Sequence, residues 1–353
     1  MMRVLRLDTP LDAHTFDSRV GAAAGVALQV HPVHGDEART WAAFHEAHVY
    51  HIASARDDLP AHWLAGQALL ERSPQLLAVS AYGAGYDTVD VAACTAAGVC
   101  VMNQAGSNAA AVAEHTIGLL LGLSKRIAES DRRLRRGERF TRQQAMGSDL
   151  QGAVLGLVGI GHAGTRVAAL GRALGMRVLA TDPYLSPEEI THRGAQSVTL
   201  QQLLQDANVI SLHCPLTPET EGLLGRSAFA AMKPGALFIT TARGGIHDEV
   251  ALYDALVSGH LAGAGLDVWA VEPPPADHPL LRLDQVLATT HTAGVSAGAR
   301  RQMAAMSADQ ILAFARGERP ARLVNPQVWP AFIARYERVM GQPFAGAGAL
   351  HGN

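Results

Sequence analysis

The sequence predicts an α/β protein of two domains, each built around a parallel β-sheet. The chain has 353 residues, enough for two domains of about 150 residues each. Short apolar runs alternate along it with segments of helical pattern, which is typical of βαβ units. The 35 glycines and the low aromatic content of 5% suit this class, because its strand–helix connections need many tight turns.

Composition excludes several other classes of protein. With 48% hydrophobic and 17% charged residues, the chain is neither disordered nor fibrous. Its longest apolar candidate, residues 117–123, is far shorter than the about 18 residues of a membrane span, and no signal peptide is expected. A net charge of −3 gives no reason to expect a nucleic-acid partner. Three cysteines without metal-ligand spacing predict no metal site and fit a cytoplasmic protein.

The first hundred residues predict a small open sheet of flavodoxin type, and a second α/β series starts near residue 153. The first series has predicted strands at 4–7, 26–30, 49–53, 76–80 and 99–103, with helices at 37–45 and 89–97. A long helix is predicted over 109–126. The second series has predicted strands at 154–159, 177–181, 209–213, 236–241, 264–268 and 286–290, with helices at 163–174, 200–206, 248–258 and 298–316.

A basic stretch separates the two series. Residues 125–142 hold eight basic and three acidic side chains. This pattern predicts a solvated helix face followed by a loop, with a partner surface as the alternative.

The segment LGLVGIGHAGTRVA carries Gly159, Gly161 and Gly164 in the spacing G-x-G-x-x-G, between a predicted strand and a helix. In this context the first glycine allows a tight turn, the second lets the backbone approach a pyrophosphate, and the third lets the helix pack closely. The helix N-terminus suits phosphates. Asp182, at the end of the next strand, would bind the ribose hydroxyls and favour NAD over NADP. The alternative is a glycine-rich turn in an ordinary βαβ unit.

Four polar residues follow other strands of the second series: Arg243, Asp267, Glu272 and His291. The carboxyl ends of parallel strands meet at one edge, where ligands bind. Such a set suits hydride transfer to a carbonyl beside a carboxylate. The arginine would orient the carboxylate, the histidine would protonate the forming alkoxide, and the glutamate would stabilise the imidazolium.

Seven motifs occur in order between about residues 76 and 326: YGAGYDTVD, NQAGSNAAAVAEHTIGLLL, GLVGIGHAGTRVA, HCPLTPETEGLLG, TTARGGIHDEVAL, GAGLDVWAVEPPP and TTHTAG. Through them the chain resembles the D-isomer-specific 2-hydroxyacid dehydrogenase family. The resemblance implies two flavodoxin/Rossmann-like domains with the active site in the cleft between them. It also implies a substrate domain of residues 1–103 plus 298–353 and an NAD-binding domain of residues 104–297. Homodimers joined through the helix at 109–126 and the following arm are expected.

The resemblance also implies roles for individual residues. Arg243, Glu272 and His291 would be catalytic, and Asp267 would hold the nicotinamide carboxamide. Further cofactor-binding residues would be His162, Ala163, His213, Pro215 and Ala242. The backbone of Tyr82, Gly83, Ala84 and Gly85 would grip the substrate carboxylate, together with Arg243. Two glycines in four residues independently suggest an anion-binding concavity there, although an ordinary glycine turn is the alternative.

Departures from the family pattern bear on the substrate. Phosphoglycerate-oxidising members resemble the chain in FTRQQAMGSDLQG, but they tend to carry an arginine where this chain has Ala81. This difference disfavours a phosphorylated substrate, with Arg56 or Arg142 as candidates to compensate. Thr290 replaces a common proline before the histidine. Formate-oxidising relatives have glutamine in place of Glu272, so the acid favours hydroxyacid chemistry.

The leading hypothesis is therefore an NAD-dependent oxidoreductase acting on a small 2-oxo or D-2-hydroxy acid. The alternatives are a D-3-phosphoglycerate dehydrogenase and a non-catalytic NAD-sensing interaction protein. Candidates for lining the substrate pocket are Ser54, Ala55, Arg56, Tyr82 and Trp269.

Overall fold

The computed structural model describes residues 1–9 and 12–348. The chain forms two compact units. The first unit comprises Met1–Asn108 together with the chain from Ala297 onward, and the second comprises Ala109–Ser296. The assignment of the first unit to the substrate stays a prediction.

The first unit contains a sheet of five parallel strands in the order β2-β1-β3-β4-β5. The strands are β1 (Met2–Leu7), β2 (Val26–His31), β3 (Val49–Ile52), β4 (Ala78–Ala81) and β5 (Cys100–Met102). Every residue of β3, β4 and β5 is buried, as expected for parallel strands covered on both faces.

The second unit contains a sheet of seven parallel strands in the order β12-β11-β10-β9-β6-β7-β8. The strands are β6 (Val154–Val158), β7 (Arg177–Thr181), β8 (Gln196–Ser197), β9 (Val209–Leu212), β10 (Ala236–Thr240), β11 (Leu261–Leu266) and β12 (Val286–Ala288). The predicted class, two α/β domains with parallel sheets, is confirmed.

Thirteen α-helices lie within the described ranges. They are α1 (Ala13–Gly21), α2 (Glu37–Glu46), α3 (Gln67–Arg72), α4 (Val91–Ala96), α5 (Ala109–Ser124), α6 (Ile127–Arg135), α7 (His162–Ala173), α8 (Pro187–His192), α9 (Leu200–Asp206), α10 (Arg226–Ala231), α11 (Glu249–Val257), α12 (Ala297–Ala315) and α13 (Trp329–Met340). In the part of the chain that the structure describes, none of them is long and apolar enough to cross a bilayer.

The helix predicted over 109–126 ends earlier, at Ser124. Arg126 has a φ of 52°, a left-handed conformation that cannot continue a right-handed helix, and α6 starts directly after it. The arginines of α6 and its flanks are paired with acids such as Glu129 and Asp284. The basic stretch thus begins as the solvated helix that its composition predicts.

Helix α5 packs closely against β11 because that strand carries glycines. A Cβ built on Gly265 would lie 3.0 Å from the Cβ of Leu119, and one built on Gly263 would lie 3.3 Å from Leu123. This Gly- and Ala-rich composition weakens the strand signal, which is why β11 starts three residues before the predicted 264.

Candidate active site

The candidate site residues of the second unit follow successive strands of its sheet. The glycine loop follows β6, Asp182 follows β7, Arg243 lies after β10, Asp267 follows β11, and His291 lies after β12. Since all the paired strands run parallel, these side chains gather at one edge of the sheet, where open α/β sheets bind ligands.

The glycine loop has the geometry that its spacing predicts. Gly159 has a φ of 88°, and a Cβ there would lie 2.8 Å from the backbone nitrogen of Cys214. A Cβ on Gly164 would lie 2.6 Å from the carbonyl oxygen of Gly159. At Gly161, in contrast, no described atom apart from those of its own chain neighbours lies within 4 Å of a built Cβ, so a ligand can approach the backbone.

Helix α7 starts at the same loop. Gly161 is its N-cap residue, and no side chain caps it. The amides of a helix's first turn have no carbonyl partner within the helix, so they can bind an anion. His162 and Ala163, both predicted to bind the cofactor, form the start of this turn. The loop therefore fits the pyrophosphate of a dinucleotide.

Asp182 is fixed beside the glycine loop by two backbone bonds. Its Oδ2 accepts from the N–H of Ile160 at 3.0 Å, and its Oδ1 accepts from the N–H of Tyr184 at 3.1 Å. The guanidinium of Arg193 donates to the carbonyl of Ile160 at 2.8 Å. An acid therefore lies directly beside the glycine loop, with a cation bound to the same loop. The role of this acid toward a ribose stays a prediction.

His291 and Glu272 form a hydrogen-bonded pair. His291 Nδ1 lies 2.7 Å from Glu272 Oε2, and Glu272 Oε1 accepts from the N–H of Trp269 at 3.0 Å. The hydrogen bond to Glu272 raises the pKa of His291 above its usual value, against the opposing effects of burial and Arg243. Burial is the largest single influence on Glu272 and would raise its pKa. The hydrogen bond and charge of His291, the Trp269 N–H and the charge of Arg243 together hold that pKa below its usual value. The pair is therefore arranged as a carboxylate and an imidazolium.

His291 itself has a φ of 51°, which is uncommon outside glycine. The fully buried Asp267 holds this turn from three directions. Its carbonyl accepts from the N–H of His291 at 2.6 Å, and its carboxylate accepts from the N–H groups of Thr292 and Ala293 at 2.8 and 2.9 Å. Asp267 thus fixes the conformation that presents the imidazole, and its role toward a carboxamide stays a prediction.

Arg243 lies in the loop after β10, within electrostatic range of both Glu272 and His291. Its Nη1 donates to the carbonyl of Ala242 at 2.7 Å. The next residue, Gly244, has no room for a side chain, because a Cβ there would lie 1.8 Å from the carbonyl oxygen of Trp269. This contact brings the arginine loop directly against the loop of Glu272.

The remaining predicted cofactor residues lie in neighbouring loops of the same unit. His213 follows β9, and its Nε2 lies 2.9 Å from the hydroxyl of Ser211. Burial lowers the pKa of His213 to about 4, so it is neutral near pH 7. The carbonyl of Pro215 accepts from the hydroxyl of Thr220 at 2.7 Å, and Ala242 is buried.

The predicted substrate loop lies in the first unit, after β4. Its first two amides are already bonded: the N–H of Tyr82 donates to the carbonyl of Ile52 at 2.9 Å, and that of Gly83 donates to the hydroxyl of Ser54 at 2.7 Å. The amides of Ala84 and Gly85 have no bond to any described residue. The Tyr82 hydroxyl donates to the carbonyl of Arg300 at 3.0 Å. The later half of the loop is therefore the part open to an anion.

Three residues at the site were missed by sequence reasoning. Thr289 donates to Asp267 Oδ1 at 2.6 Å, and His115 Nε2 lies 3.0 Å from the same threonine hydroxyl. Gly244 is the third. The pair of glycines after Arg243 could have indicated a close backbone approach, but nothing local to His115 or Thr289 indicates their contact across 174 residues.

Comparisons with known proteins identify a family for the chain. The model of the D-isomer specific 2-hydroxyacid dehydrogenase NAD-binding domain matches residues 117–293. The chain is 38% identical over 263 residues to a glyoxylate reductase of Korarchaeum cryptofilum, covering 74% of this chain and 79% of that one. It is 38% identical over 264 residues to a D-3-phosphoglycerate dehydrogenase of Archaeoglobus fulgidus, covering 74% of this chain but 50% of that one.

Among solved structures, a D-lactate dehydrogenase of Aquifex aeolicus, complexed with NAD and lactic acid, superimposes with a TM-score of 0.78. It is 26% identical, and the match covers 91% of this chain and 98% of the other. The chain spans about half the length of the phosphoglycerate dehydrogenases that it matches.

The fold and the glycine loop define a dinucleotide-binding protein of the Rossmann class. Within that class, the chain belongs to the D-isomer-specific 2-hydroxyacid dehydrogenase family, as its motifs predict. Its second unit contains the family's NAD-binding domain.

Proposed function

We propose that the chain is an NAD-dependent dehydrogenase that interconverts a small 2-oxo acid and the corresponding D-2-hydroxy acid. The carrying observation is the pair of His291 and Glu272, bonded at 2.7 Å within electrostatic range of Arg243. A non-catalytic NAD-sensing protein has no need of a carboxylate that raises the pKa of a histidine at this edge of the sheet.

When bound, NADH supplies the hydride for the carbonyl carbon. Arg243 orients the substrate carboxylate and stabilises charge on the carbonyl oxygen. Because His291 Nδ1 is engaged with Glu272, the proton for the forming alkoxide comes from Nε2. In the reverse direction neutral Nε2 takes the proton from the hydroxyl group. Glu272 holds the ring in orientation and stabilises its charged form.

Replacing Glu272 by glutamine is expected to shift the pH profile of reduction to lower pH. Reduction requires protonated His291, so activity is present below the pKa of His291 and is lost as the pH rises through it. Glutamine lacks the charge that raises this pKa, so the loss begins at lower pH. The measurement is kcat/KM for reduction against pH, with exposed Glu219→Gln as control. An alkaline limb at its original position would contradict the pairing.

Replacing Asp182 by alanine is expected to weaken NADH binding by at least about tenfold, because hydrogen bonds to a charged group are lost. NADPH use is expected to rise, since the repelling carboxylate is gone while Arg193 stays bound to Ile160. Dissociation constants for both cofactors, measured by fluorescence, test this. Unchanged discrimination between the two would rule out Asp182 as the selecting residue.

The substrate is proposed to be an unphosphorylated 2-oxo acid whose carboxylate binds the amides of Ala84 and Gly85. Ala81 is fully buried and offers no cation to a phosphate, and Arg56 donates to the carbonyl of Asp87 at 2.7 Å. The second candidate is D-3-phosphoglycerate oxidation, favoured by the name of the Archaeoglobus fulgidus relative.

Loss of NADH absorbance with a panel of oxo acids separates these candidates. The panel contains glyoxylate, hydroxypyruvate, pyruvate, 2-oxobutyrate, phenylpyruvate and 3-phosphohydroxypyruvate. We expect turnover with one of the unphosphorylated acids. Preference for the phosphorylated acid would favour the second candidate, and no turnover despite NADH binding would contradict the dehydrogenase proposal.

We also propose a homodimer formed through α5, α6 and the segment that follows α6. Three apolar side chains of this region are largely exposed: Ile127 by 58%, Leu134 by 66% and Met146 by 61%. Light scattering is expected to give twice the chain mass of 37.2 kDa, and a mass of one chain would contradict the dimer.

A cytoplasmic location is proposed from the three free cysteines.

A further inference from the structure

A second carboxylate–imidazole pair lies beside the loop that carries Glu272. Glu249, the first residue of α11, has its Oε2 3.2 Å from Nε2 of His278. Its other oxygen, Oε1, accepts from the N–H of Ala270 at 2.8 Å. The Glu249 and His278 side chains are only 16% and 17% exposed, so the pair is shielded and its geometry is restrained by packing.

The Glu249–His278 pair spans the loop that carries Glu272. Glu272 lies in the loop between β11 and the short 3-10 turn Pro279–Arg282. Glu249 contacts that loop on both sides of Glu272, at Ala270 and at His278. The Glu249 side chain therefore binds both ends of the segment 270–278, which carries Glu272.

The pair also reaches the catalytic residues through Trp269. The His278 ring packs edge-on against the Trp269 ring, with centroids 5.3 Å apart. The Trp269 backbone N–H donates to Glu272 at 3.0 Å, and its indole N–H donates to the carbonyl of Thr289, two residues before His291, also at 3.0 Å. A contiguous set of contacts thus links Glu249 to both members of the catalytic pair.

We propose that Glu249 is a positioning residue of the active site, which with His278 holds Glu272 in the orientation that bonds His291. The effect of Glu249 on catalysis rests on the proposed function. The position of Glu272 against His291 can be measured without turnover. The charged groups that face His291 are Glu272, Arg243 and Asp267. Displacement of Glu272 therefore removes the stronger of the two acids that oppose Arg243 and leaves only Asp267.

The test is the titration of His291 followed by NMR in histidine-labelled protein, with its resonance assigned by its absence in His291→Asn. In Glu249→Ala we expect the pKa of His291 to fall, in the same direction as in Glu272→Gln. In Glu249→Gln we expect it to stay close to that of the wild type, because the amide oxygen can still accept from Ala270. Asp254→Ala is the control, since Asp254 lies on the same helix in a surface pair with Arg226.

A second variant keeps the proposal testable if Glu249→Ala fails to fold. His278→Phe keeps a ring against Trp269 but removes the bond to Glu249, and we expect a smaller fall in the same direction. For reduction, kcat of Glu249→Ala should drop about 10- to 100-fold, while the Kd for NADH stays unchanged. An unchanged His291 titration in both variants would overturn the positioning role. Absence of turnover in the wild type would instead overturn the proposed function.

Discussion

Replacing His291 by asparagine is expected to lower kcat for 2-oxo acid reduction by about 10²- to 10⁴-fold, the usual contribution of a general acid. Asparagine is chosen because the residue has a φ of 51°, a conformation that asparagine tolerates better than most residues do. The turn held by Asp267 is therefore retained while the imidazole, the proposed proton donor, is lost. Steady-state kinetics at saturating NADH measure the effect.

The matched control is His192→Asn, at the exposed end of α8. It should leave kcat unchanged. The Kd for NADH should be the same in both variants and the wild type, because neither residue belongs to the glycine loop. A His291→Asn enzyme with kcat within a few fold of the wild type would mean that another group supplies the proton.

Replacing Arg243 by alanine is expected to lower kcat/KM by about 10³-fold or more. Removal of one stabilising donor alone costs about 10²- to 10³-fold, and loss of substrate orientation adds to it. The kcat/KM of Arg243→Lys should lie between those of the wild type and Arg243→Ala, since lysine keeps the charge but not the bidentate geometry. Kinetics over a range of oxo acid concentrations measure both kcat and KM.

Arg226→Ala, which removes a surface pair with Asp254, is the control for loss of a positive charge. It should retain normal kinetics. Near-normal turnover of Arg243→Ala would show that the carboxylate is bound and oriented elsewhere. A change in KM alone would mean that Arg243 binds the substrate without stabilising the transition state.

The sheet strands were largely predictable, and the exceptions have physical causes. Buried parallel strands are continuous apolar runs, so β7 and most others lie within a few residues of the predicted bounds. Strand β8 was missed because Gln196 and Ser197 form a two-residue polar edge strand. Helix α8 was also missed, although Ser186 and Glu189 form a capping box that is visible in the sequence as S-x-x-E.

The gathering of the candidate site residues was predictable from their places after strands. The shared edge of the parallel sheet brings Arg243 and His291 together with Glu272, which lies further along the loop after β11. Burial of Asp267 and the left-handed turn at His291 depend on tertiary packing, so no local pattern indicates them. The same holds for the approach of Gly244 to Trp269, which joins two separate loops.

Hydride transfer at this site is tested most directly with NADH that carries deuterium at the transferable position of the nicotinamide ring. The enzyme is incubated with the best oxo acid of the panel, and the product is analysed by mass spectrometry and chiral chromatography. We expect one deuterium on C2 of a D-2-hydroxy acid in the wild type and a far lower rate of labelling in His291→Asn. A reduced product without deuterium, or no product while NADH binds at the glycine loop, would contradict hydride transfer at this site.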